Sequence, residues 1–71
     1  MTSKLKNVRE YLDALEETKK DKDEQVKQGL EIYIDLWRRA IEKGIVGEAD
    51  RVDYALVKIE DKGGLYKAAE D

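Results

Sequence analysis

The chain has 71 residues and a mass of 8.2 kDa, with 14 Lys and Arg against 17 Asp and Glu, a net charge of −3. It contains no cysteine and no histidine, which excludes disulfides, thiol nucleophiles, zinc fingers, imidazole metal sites and Ser-His-Asp acyl transfer. No apolar run approaches the roughly 18 residues that a membrane span requires.

A chain this short holds one domain, here residues 1–71. Area scaling gives about 12,000 Å² of accessible surface unfolded and about 4,500 Å² folded. Apolar burial then returns about 110 kcal/mol, and ordering the chain costs about 105 kcal/mol. A monomer is marginal on that balance, and no cysteine staples it. Self-association is the expected remedy.

Proline is absent, and Glu, Lys, Leu and Ala are abundant. The fold class is therefore all-α. The first helix is expected over about 3–20. Leu5, Val8, Leu12 and Leu15 recur at spacings of three, four and three, with Tyr11 beside them. Lys6–Glu10 and Glu16–Lys20 stand four apart as ion pairs.

A charge run, Lys19-Lys20-Asp21-Lys22-Asp23-Glu24, follows. Asp21 with Glu24 has capping-box spacing, and Asp23 is a second N-cap candidate. The alternative is one continuous helix over 3–43 with a short antiparallel helix after it. Two lysines and a glycine in the seam of such a helix favour the break.

The second helix, about 24–43, carries Val26, Leu30, Tyr33, Ile34, Trp37, Ala40 and Ile41 on one face. Ile32 and Leu36 widen the apolar arc towards 200° at 100° per residue. An arc so wide needs more than one neighbour. A second copy is the expected one, making a homodimeric bundle that pairs through Gly29, Ile32, Tyr33 and Leu36. Gly29 within a helix costs about 1 kcal/mol against alanine. Close approach of another helix would account for it, and a tolerated weak spot is the plainer explanation. Trp37 is expected to point inward, with Arg38 and Arg39 in water forming Asp35–Arg39 and Arg38–Glu42 pairs.

Gly44 and Ile45 read as a C-cap in which the glycine turns left-handed and the isoleucine folds back. A third helix, about 48–62, shows Ala49, Val52, Leu56 and Ile59, with Ala55 widening the stripe. Gly63-Gly64 ends it. Leu65 and Tyr66 form a latch, and 65–71 is expected to fray.

No catalytic, cofactor-binding or metal-binding residues emerge. Asp21 to Ile32 departs from a calcium loop, with valine at the sixth position and isoleucine at the twelfth. The carboxylate pairs Asp50/Asp53 and Glu60/Asp61 lack an evident cleft. Arg38, Arg39, Lys43 and Arg51 could form a basic patch at a helix-turn-helix outline, but Glu48, Asp50 and Asp53 oppose phosphate. The expected protein is thus a non-enzymatic, cytoplasmic interaction or adaptor module that binds itself and another protein, with no cofactor and no membrane partner. A nucleic-acid-associated regulator using those four basic residues is the alternative. The Lys/Glu-rich surface resembles hyperthermophile usage.

Overall fold

A computed structural model describes residues 6–70, which form four helices and no strand. They are α1 (Val8–Lys20), α2 (Glu24–Glu42), α3 (Val52–Asp61) and α4 (Leu65–Glu70). α2 packs on α1 and α4, and α3 packs on the same two, so the helices close into a ring with α2 and α3 diagonal. None of the described helices is long and apolar enough to cross a membrane.

α1 starts at Val8 because Asn7 caps it: its Oδ1 accepts the Glu10 N–H at 2.9 Å. The expected start at 3 is too early, since Lys6 and Asn7 are not helical. Leu5 lies outside the described residues. The Lys6–Glu10 and Glu16–Lys20 pairs do not form among the described residues. Lys20 turns to Glu17 and Glu16 to Lys19 instead, each a residue nearer along the helix.

The chain breaks at Asp21–Asp23, and the continuous 3–43 helix is excluded. Asp21 terminates α1 and Asp23 caps α2, its Oδ1 accepting the Val26 N–H at 3.1 Å. α2 ends as expected. Gly44 adopts φ 78°, Gly44 N–H donates to the Ile41 carbonyl, and Ile45 N–H donates to that of Ala40, both at 3.0 Å. The same device closes α3: Gly63 (φ 96°) donates to Glu60 and Gly64 (φ 115°) to Ile59.

α3 begins at Val52, four residues later than expected, because the preceding carbonyls are engaged elsewhere. Asp50 O accepts the Val8 N–H at 2.8 Å, and Glu48 O accepts the Arg9 N–H at 3.0 Å. Val52 N–H reaches back to Lys6 O at 2.9 Å, flanking an antiparallel bridge between Asn7 and Arg51. These bonds satisfy the orphan donors of α1's first turn. They also leave Ala49 exposed and outside the helix, so the buried stripe of α3 is Ala55 and Ile59 with Val52 at its edge. Leu56 faces out.

The expected fraying of 65–71 is corrected as well, apart from Asp71, which lies outside the described residues. Ala68 is 1% exposed and Ala69 3%, seated against α2. The core joins Val8 and Leu12 of α1, Ile34, Trp37 and Ala40 of α2, Val46, Ala55 and Ile59, and Ala68. The three-helix count becomes four. α1 and α4 together cover much of the wide arc of α2, the work assigned above to a second copy.

Candidate interaction surfaces

Trp37 is fully buried, and Tyr11 and Tyr33 set their rings edge-on to it at 5.8 and 6.5 Å between centroids. The two tyrosine hydroxyls meet at 3.0 Å. Burial, then the hydrogen bond with Tyr33, pushes the Tyr11 hydroxyl up from 10.0 to about 12. The Trp37 Nε1 has no hydrogen-bond partner among the described residues.

The four residues expected at a self-association face differ in exposure. Gly29 is exposed, and no atom would come within 4 Å of a Cβ placed there. Ile32 is 61% exposed. Tyr33, in contrast, is turned into the aromatic cluster, and Leu36 is half-buried. What remains on that side of α2 is a narrow edge of Gly29, Ile32 and part of Leu36. Val26, expected in the core face, is 47% exposed at the start of the helix.

Of the four basic residues, Arg38, Arg39 and Arg51 have carboxylate partners. Arg39 pairs with Asp35 at 3.0 Å, as helical spacing predicts. Arg38 does not reach Glu42. Its guanidinium crosses to Glu16 on α1 at 2.9 Å, beside Lys19, which also bridges to Glu31. Hydrogen bonds from Lys19 and then Arg38 hold the Glu16 carboxyl below the usual glutamate range. Arg51 lies 3.6 Å from Asp53. Lys43 faces a different cleft of about 380 Å³, lined by Lys62 and Lys67 together with Ile45, Ala68 and Glu70.

Of the carboxylate pairs, Asp50 and Asp53 have cationic partners, whereas Glu60 and Asp61 have none among the described residues. Asp50 accepts the Gly47 N–H at 2.9 Å and an N–H of Lys58 at 3.2 Å, and these two bonds lower its pKa. Lys58 also sits 4.5 Å above the Tyr54 ring. No group of three or more Asp and Glu side chains is placed to hold a metal ion among the described residues.

The surface that sequence reasoning missed is the outer side of α3. Tyr54 is 55% exposed, Leu56 46% and Val57 58%. The signal was present in the run Tyr54-Ala55-Leu56-Val57, which is too apolar for a helix that buries one narrow stripe. Starting the helix at 48 concealed it, because Ala49 and Leu56 then seemed to share the core face.

No protein-family model, curated protein or solved structure matches the chain.

Proposed function

We propose that the chain is a small, non-enzymatic protein-interaction module that docks partners, a second copy among them, through apolar side chains on its helices. One observation carries this reading. Val26, Ile32, Tyr54, Leu56, Val57 and Tyr66 stay between 46% and 70% exposed, whereas four of the ten core residues are merely alanines. Single exposed apolar residues are ordinary. Several on one short helix mark a contact surface.

For self-association the supporting feature is the exposed edge of α2 at Gly29 and Ile32, bordered by Leu36. A chain without cysteine suits a reducing compartment, and the module is taken to work in the cytoplasm. The nucleic-acid reading has less support, because Arg38, Arg39 and Arg51 each have a carboxylate partner.

Light scattering on a sizing column, across a concentration series, tests self-association. A mass near twice 8.2 kDa that Ile32→Glu returns to the single-chain value supports the α2 edge. A dimer indifferent to Ile32→Glu places the contact elsewhere. A single-chain mass at every concentration removes the second copy from the proposal.

A further inference from the structure

The outer side of α3 combines two properties that rarely coincide on a solvated face. At 100° per residue, its side chains succeed one another around the helix in the order Leu56, Glu60, Asp53, Val57, Asp61 and Tyr54. All six are exposed. Apolar and acidic groups are thus interleaved over about 160° of arc, directly opposite the buried stripe of Ala55 and Ile59.

Of the cations nearby, Lys62 lines the cleft shared with Lys43 and Lys67, outside this arc, and the other two are already committed. Lys58 reaches Asp50 at 3.2 Å and caps the Tyr54 ring, and Arg51 lies 3.6 Å from Asp53. Glu60 and Asp61 have no ion-pair partner among the described residues. The face therefore presents half-exposed hydrophobic anchors inside a net negative field.

Charge decides what can cover it. A second copy laid antiparallel would set Asp53 against Glu60 and Asp61. A parallel copy would stack like on like. Both arrangements bring carboxylates together as water leaves, Glu60 and Asp61 among them without a cation of their own, which disfavours self-pairing. The same acids oppose a phosphate backbone or an anionic lipid surface. An apolar segment carrying Lys and Arg satisfies both halves of the pattern.

From this juxtaposition we propose that the outer face of α3 docks a basic, amphipathic helical segment of a different protein. The inference rests on the reading of the chain as an interaction module and names the partner's chemistry. α3 is about 15 Å long, so it matches roughly three turns of a partner helix. The partner's apolar residues at i, i+3 and i+4 would meet Leu56, Val57 and Tyr54. Its Lys and Arg would reach Asp53, Glu60 and Asp61.

The test uses the full chain, labelled with ¹⁵N, and three synthetic peptides of equal length: Leu/Lys amphipathic, Leu/Glu amphipathic, and Ser/Lys. Amide shifts on titration report affinity and location. The Leu/Lys peptide is expected to perturb residues 53–61, and the other two to leave them unmoved. Val57→Gln should weaken binding about tenfold, the loss of one anchor. Glu60→Lys with Asp61→Lys should weaken it similarly, and Ile32→Gln should not. Val57→Thr, which keeps the β-branched shape, serves if the glutamine variant folds poorly.

Shifts centred elsewhere, equal binding of the Ser/Lys or Leu/Glu peptide, or indifference to Val57→Gln would overturn the proposal. A wild-type dimer dissociated by Val57→Gln would assign the face to a second copy. That result would also overturn the proposal, while leaving the interaction module standing.

Discussion

The hydroxyls of Tyr11 and Tyr33, 22 positions apart in the chain, meet at 3.0 Å where α1 crosses α2. Their rings lie nearly perpendicular to one another and edge-on to Trp37. One contact thus ties the first two helices together, with one hydroxyl donating and the other accepting.

Removing either hydroxyl tests its weight. Tyr11→Phe or Tyr33→Phe should cost about 1 kcal/mol, read as a lower urea midpoint at neutral pH. The Tyr11 hydroxyl is raised from 10.0 to about 12 in the folded chain. Its contribution is therefore complete below pH 10 and lost as pH rises through 12. The wild type should weaken over that window, and Tyr11→Phe should weaken less.

Asp50 sets the acid limit. Its carboxyl is held below the usual aspartate range by the Gly47 N–H and then by Lys58. A lowered folded pKa contributes stability that is present above about pH 4 and disappears as pH falls through the folded value. Glu16 acts in the same direction through Lys19 and Arg38. Urea midpoints should therefore drop below pH 4, and Asp50→Asn should flatten that drop while lowering stability at pH 7. An unchanged slope would deny Asp50 this role.

Gly29 within α2 and Gly44 just beyond its end should respond oppositely to alanine. Gly44→Ala forces a side chain into φ 78° and should destabilise by about 1 kcal/mol. Gly29→Ala meets nothing within 4 Å and should stabilise by up to about 1 kcal/mol. If a partner helix uses the gap at Gly29, that same substitution should instead weaken a dimer, which a concentration series would reveal.

The last helix is required for the core. Ala68 is 1% exposed against α2, so Ala68→Asp should destabilise by about 3 kcal/mol or more by burying an unpaired charge. Deleting 65–71 should abolish a cooperative thermal transition by circular dichroism. A truncated chain that still melts cooperatively would make α4 an accessory.

Much of this architecture was legible in the residues, and the failures share one cause. α2 could be read nearly to its ends, because Asp23 and Gly44 are local signals with one physical meaning. The inward Trp37 followed from helical angle alone. Three features depended on distant partners. Val46 reads as a loop residue until the core encloses it. Ala68 and Ala69 are too small to announce a core. Glu48 and Asp50 look like a helical first turn until their carbonyls are found on α1. The candidate site was missed for the same reason, since α3 turns Ala55 and Ile59 rather than Leu56 to the core.

That borrowing of carbonyls has a consequence for how the protein is made. The first turn of α1 needs the Glu48 and Asp50 carbonyls for its hydrogen bonds, and Ala68 completes the wall against α2. A ribosome delivers α1 first and its partners last. The growing chain therefore has no finished fold to adopt until its last helix has been made. Because α2 and α3 each pack on both α1 and α4, the fold should then close in a single step.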